Sequence, residues 1–197
     1  MTTKISSAVL GLLSLAIFTA MPSLAQEQPK YGKTPERTIP GEPTENHPKK
    51  GVDETDQNFM KTAAIGNEAE IQLGQMAQAK AASPQVKSFG ERMIKDHSEA
   101  DDKLKSIADS QHISLPMELD PEHKATAARL SALSGKDFDK AYMQLMVHEH
   151  TKDVGEFQKE AAGAHDDTVK QFATATLPVL QSHLNEARQI AQQIGSE

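Results

Sequence analysis

The sequence has no cysteine and no tryptophan. Without thiols it can have neither a disulfide framework nor a lipid anchor of the bacterial lipoprotein kind, so its stability must come from a packed core. Aromatics of any sort are scarce, with six Phe and two Tyr in 197 residues. Ala, Leu and Met are plentiful instead, a composition that favours packed helices over sheets. Basic excess is missing too: 21 Lys and Arg stand against 28 Asp and Glu, a net charge of −7. The positive charges are interleaved with acids along predicted helices, which excludes the basic face that nucleic acid would need. There is no serine in a nucleophile-elbow pattern and no glycine-rich phosphate loop, so hydrolytic or phosphoryl-transfer catalysis has no support. Redox chemistry at a bound metal is the one catalytic route the residues leave open.

Long apolar runs are also absent. The most apolar stretch, from Ala8 to Ala20, is about thirteen residues, short of the roughly twenty needed to span a bilayer. Lys4 precedes it and Ser23-Leu24-Ala25 follows it with small residues placed for cleavage. The pattern predicts a signal peptide over residues 1–25 and a periplasmic or secreted mature protein. The competing reading is an uncleaved N-terminal anchor. Residues 26–52 hold Pro29, Pro35, Pro40, Pro43 and Pro48 with charges of both signs and almost nothing apolar. That stretch should be a disordered linker.

The remaining residues, 53–195, read as one helical domain. A first helix begins near Asp53 to Asp56 and runs to about Ala82. Ser83-Pro84 starts a second, with serine as N-cap and proline in the first turn, reaching about Gln111. A loop through Leu115-Pro116 leads to a short helix opened by Asp120-Pro121 and ended by Ser134-Gly135. A third long helix spans about Lys136 to Ala162, and Asp166-Asp167 cap a fourth that reaches Ile194. Pro178 lies inside this last helix and should kink or break it.

Residues spaced three and four apart mark one buried stripe on each long helix. These are Phe59, Ala63, Gly66, Glu70, Leu73 and Ala77; then Val86, Gly90, Met93, His97, Ala100, Leu104 and Ile107. The third helix gives Met143, Val147, His150, Val154, Phe157 and Ala161, adjoined by Phe138 and Tyr142. The fourth gives Val169, Ala173, Thr176, Leu180, His183, Ala187, Ile190 and Ile194. Near its middle, each stripe is interrupted by a residue of metal-ligand type: Glu70, His97, His150 or His183. Helices of about 27 to 30 residues at 1.5 Å per residue bring these four to one central level whichever way the helices run. The long connection between the second and third long helices allows a one-crossover bundle. A plain up-down bundle remains open.

The run Phe59 to Leu73 with Glu70, the stretch Arg92 to His97, Leu133-Ser134-Gly135 with Phe138-Asp139-Lys140-Ala141-Tyr142, and Leu177-Pro178 with Leu180 and His183 resemble a bacterial family of exported domains of unknown function. Its members are often labelled membrane or outer-membrane proteins. The resemblance covers about residues 54–194 and implies an all-α, ferritin-like four-helix bundle with a short extra helix between helices two and three. It implies no reaction. Its recurring polar positions fall at Glu70, Asp96, His97, Asp139, His150 and His183.

One carboxylate and three imidazoles can offer four positions to a single transition-metal ion, whether zinc, iron, manganese or copper. A di-iron centre would need paired Glu-x-x-His motifs, and Ile94, Val147 and Leu180 stand three before the histidines instead. The competing reading is a buried network in which Glu70 pairs with histidine and fixes helix register without metal. Such a bundle would act as an envelope stress or interaction protein. Met93 and Met146, each four before a histidine, are core filler on one reading and Cu(I) ligands on another. His112, His123, His148 and His165 are expected in solvent. A cell-envelope partner, membrane association and the oligomeric state all stay open.

Overall fold

Five α-helices form where caps and stripes place them: α1 (Glu54–Lys80), α2 (Pro84–Gln111), α3 (Pro121–Ser131), α4 (Gly135–Gly163) and α5 (Asp167–Gly195). The structure is a computed structural model that describes residues 52–195. The expected signal peptide over 1–25 and linker over 26–52 lie outside the described residues, apart from Val52, which is buried in the core.

Acidic caps start three of the helices. Asp53 accepts from the Thr55 amide, Asp120 from His123, and Asp166 from Thr168 and Val169, each satisfying an amide that has no partner within its helix. The expected serine cap of α2 is different. Ser83 occupies the N-cap position but makes no side-chain cap bond. Asp139 of α4 reaches across instead, taking the Ala82 amide at 3.1 Å and the Ser83 amide at 2.9 Å.

That cross-helix bond fixes the topology. It places the start of α4 at the start of α2, where Ala81 and Gly135 also form an isolated β-bridge. At the far end Asp56 of α1 accepts the amides of His165 at 3.0 Å and Asp166 at 2.7 Å, so α5 begins where α1 begins. α2 and α4 therefore run parallel, and the chain between them travels back along the bundle, carrying α3 on the way. The result is the one-crossover, ferritin-like bundle rather than the plain up-down one. α1 pairs most extensively with α2 and α4 with α5. The first pair approaches closely at Gly74 and Gly90: a Cβ on Gly74 would lie 2.6 Å from the Gly90 carbonyl oxygen, and only glycine permits that approach.

Two apolar clusters fill the bundle. One gathers Leu73, Phe89, Met93, Phe138, Tyr142, Met146 and Ile190; the other gathers Met60, Ala64, Leu104, Phe157, Phe172 and Leu180. On every long helix the clusters leave a gap, and the gaps hold Asn67 and Glu70, His97, His150, and His183, all buried. A polar layer thus lies between two apolar ones. Phe59, Val147 and Val154 prove only half-buried, whereas Phe89, Met146, Phe172 and Leu184 are buried though absent from the counted stripes. The apolar face is wider than a strict three-four seam.

α5 runs unbroken through Pro178, contrary to the break the proline invites. Phe172 and Ala173 before it and Leu180 and Leu184 after it are all buried, so packing holds both halves in one helix despite the missing hydrogen bond. No helix of the described residues is long and apolar enough to cross a membrane.

Candidate metal centre

His97 on α2, His150 on α4 and His183 on α5 meet in the polar layer. Their ring centroids lie 5.7, 5.5 and 5.2 Å apart, and one nitrogen from each falls within 4.8 Å of the other two. The three residues are 4%, 0% and 1% exposed. Phe89 contacts two of them edge-on, at 6.4 Å from His150 and 6.5 Å from His183, and helps keep water from the cluster.

Each ring gives one nitrogen to an acceptor outside the cluster. His150 Nδ1 lies 3.0 Å from the backbone carbonyl of Met146. A carbonyl can only accept, so Nδ1 carries the hydrogen and Nε2 a lone pair. His183 Nε2 lies 2.8 Å from Asp96 Oδ2. Burial works to raise the Asp96 carboxyl, but the hydrogen bonds from His183 and Arg92 hold it below the ordinary carboxylate range. It is ionised and accepts, which leaves the lone pair of His183 on Nδ1. His97 Nδ1 bonds Asn67 Oδ1 at 3.0 Å, and His97 Nε2 is buried with no partner. Met146 and Asp96 thus fix the tautomers of His150 and His183 and Asn67 orients His97, in the manner of the outer partners that orient metal-bound histidines.

His150 Nε2 and His183 Nδ1 then face one another with lone pairs, and His97 brings a nitrogen within 4.8 Å of both. His150 Nε2 and His183 Nδ1 are 3.3 Å apart, a contact that needs a proton or another cation between them. Burial disfavours the proton. It pushes His97 well below its usual value, with the other two rings adding to the effect; it pushes His150 down to about 3; and it lowers His183, with the Asp96 bond only partly offsetting the fall. Three converging imidazoles that resist protonation can hold one cation.

A family model for a domain of unknown function, DUF4142, matches residues 41–190. The chain belongs to that family. The match supports the domain of unknown function and not the membrane or outer-membrane label. No curated protein matches the sequence. Among solved structures, the DUF4142 domain is similar to a DUF305 fragment from Deinococcus radiodurans, with TM-score 0.64 and 13% identity over 75% of this chain and 100% of that one. It is similar to a DUF305 protein from Streptomyces coelicolor, with TM-score 0.61 and 15% identity over 71% and 92%. It is also similar to CopM in a Cu(II)-bound form, with TM-score 0.60 and 17% identity over 70% and 96%. Identities this low carry the fold alone.

The fourth residue expected in the cluster, Glu70, is buried at the same level of the DUF4142 bundle but does not join the three nitrogens. It lines a cavity between α1, α3 and α4 with Glu149 and Asp153, and its Oε2 has no hydrogen-bond partner. Neither does it pair with a histidine as the network reading required. Burial, then the charges of Asp153 and Glu149, raise its carboxyl well above the usual range. The residue that does support the triad from α1 is Asn67, one turn earlier. A polar residue three before Glu70 on the same face was the available signal. The carbonyl of Met146 left none, because every residue has one. Of the other recurring polar positions, Asp96 holds His183 and Asp139 holds the two amides just before α2. His112, His148 and His165 are exposed as expected, while His123 is half-buried and bonded to Asp120.

Proposed function

We propose that His97, His150 and His183 bind one transition-metal ion in a bundle exported from the cytoplasm. The observation that carries the reading is the pair of unprotonated nitrogens on His150 and His183 at 3.3 Å. Two ligands of one tetrahedral ion at 2.0 to 2.1 Å would stand roughly 3.3 Å apart. Leaving such nitrogens buried and unpaired would cost roughly 1–3 kcal/mol each. The ligand set is three neutral imidazoles rather than the Glu/His3 set the spacing suggested, and it leaves a position free for a further ligand.

Copper stands first among the candidates. Imidazole suits copper and zinc, and divalent affinities generally peak at copper. CopM has been crystallised with Cu(I), Cu(II) and silver bound, which favours copper for a chain of the same fold. Met93 and Met146 are fully buried on the helix faces that carry His97 and His150, a supply of thioether that suits Cu(I).

The competing reading, a metal-free triad that fixes helix register, draws on the outer hydrogen bond each ring already makes. Elemental analysis of the full chain after incubation with copper, zinc, iron and manganese separates the two, run beside a His97→Ala/His183→Ala double variant. Near-stoichiometric metal in the native protein, lost in the variant while helicity persists, is the expected result. Absence of metal in both would leave the structural network.

A further inference from the structure

Two seams of the bundle lead from solvent to the histidine layer, and they differ in charge. The α2–α5 seam opens as a groove of about 510 Å³ lined by Arg92 and Lys103 beside Asp96 and Glu99. Arg92 spans it, pairing with Glu186 and Asp96 and bonding Ser182. A cation approaching there meets a guanidinium and an ammonium as well as the two carboxylates.

The α1–α4 seam is acidic. It holds two small cavities that share Thr62, Gly66 and Asp153. One, of about 20 Å³, runs from Asp153 and Glu156 to buried Asn67 and His97. The other, of about 30 Å³, adds Glu70 and Glu149, with Lys152 as its cation. Each is large enough for one or two waters, hence for a small hydrated ion shedding its shell. Three buried polar atoms on residues of this seam have no partner: Glu70 Oε2 on one cavity, and Asn67 Nδ2 and His97 Nε2 on the residues that line the other. The carboxylates also strain one another: Asp153 is pushed up to about 7 by burial and by Glu149 and Glu156, a repulsion that a passing cation relieves. Gly66 lies mid-helix, where glycine is costlier than alanine, and a Cβ there would touch nothing within 4 Å. The space beside it is open.

We infer that the α1–α4 seam is the entry route for a hydrated divalent cation, with Asp153 and Glu156 drawing it in past Gly66 to His97. The inference rests on the metal-binding reading of the triad. A cleft lined by one sign of charge raises association rates in a way that falls with ionic strength.

The test is stopped-flow loading of the full metal-free chain with Co(II), whose visible bands report nitrogen coordination. The variants are Asp153→Asn/Glu156→Gln at the mouth, Gly66→Leu as a plug, and Ala175→Leu as a plug of the α2–α5 groove. The mouth variant should load about tenfold more slowly at low salt and lose most of the salt dependence. Gly66→Leu should slow loading at every ionic strength. Both should reach the native occupancy with native circular dichroism, and Ala175→Leu should load at the native rate. Native-rate loading by the mouth variant and Gly66→Leu, or slowing by Ala175→Leu alone, would overturn the route while leaving the triad intact. Failure of the native chain to take up Co(II) at all would overturn the triad reading itself.

Discussion

Nε2 of His150 faces Nδ1 of His183 across 3.3 Å, and neither has a hydrogen to donate, because Met146 and Asp96 hold the hydrogens on the opposite nitrogens. That arrangement disfavours a neutral hydrogen bond between the two rings. The cluster's outer acceptors matter as much as its rings.

Asp96 should therefore control affinity without touching the ion. Asp96→Asn replaces an obligate acceptor with an amide that can also donate, which frees His183 to move its hydrogen to Nδ1. Metal affinity is expected to fall about 10- to 100-fold, with helicity unchanged, in a chelator competition titration. An unchanged affinity would remove Asp96 from the account.

Acid should destabilise the metal-free protein through the triad. In the unfolded chain each histidine takes a proton near pH 6.5, while in the folded state burial holds His150 down at about 3 and keeps His97 and His183 below their usual range. Between those values the unfolded chain binds more protons, so stability falls as pH falls, by about 1.4 kcal/mol per pH unit for each histidine still uncharged. Denaturant melts from pH 7 to pH 4 should show this acid limb. A His97→Gln/His150→Gln variant should flatten it.

Glu70 has the opposite sign. Its folded carboxyl is raised above the unfolded value by burial and by Asp153 and Glu149. Its penalty is absent below about pH 4.3, where both states are protonated, and grows as pH rises. Glu70→Gln should thus stabilise the protein by about 1–3 kcal/mol at pH 8 and hardly at all at pH 4. Metal content should stay at the native value. Loss of metal in this variant would restore Glu70 to the ligand set.

Two glycines on α1 should respond oppositely to alanine. At Gly74 the new Cβ meets the Gly90 carbonyl at 2.6 Å and Ile94 Cγ1 at 2.9 Å, and backbone cannot step aside, so Gly74→Ala should cost about 1–3 kcal/mol. At Gly66 a Cβ meets nothing within 4 Å, and Gly66→Ala should gain roughly 0.5–1 kcal/mol from helix propensity. Thermal melts of the two variants should move in opposite directions.

The helices were legible in the sequence because their signals are local. Proline and acidic caps at Asp53, Pro84, Asp120-Pro121 and Asp166 act within a turn of themselves, and the spacing of apolar residues tells which face each helix buries. The convergence of His97, His150 and His183 was legible for the same reason: each interrupts a buried stripe near mid-helix, and one bundle has one middle. Tertiary structure alone decided three things. It chose the crossover, since Asp139 on the Ala82 and Ser83 amides and Asp56 on the His165 and Asp166 amides join segments far apart in sequence. It carried α5 through Pro178, because burial on both sides outweighed a local preference. It also moved Glu70 away from the histidines and put Asn67, Asp96 and a backbone carbonyl behind them. Spacing gives the level of a residue along a helix and the stripe it lies on; the rotation that turns one side chain toward the centre and another toward a neighbouring seam is set by how four helices pack at once.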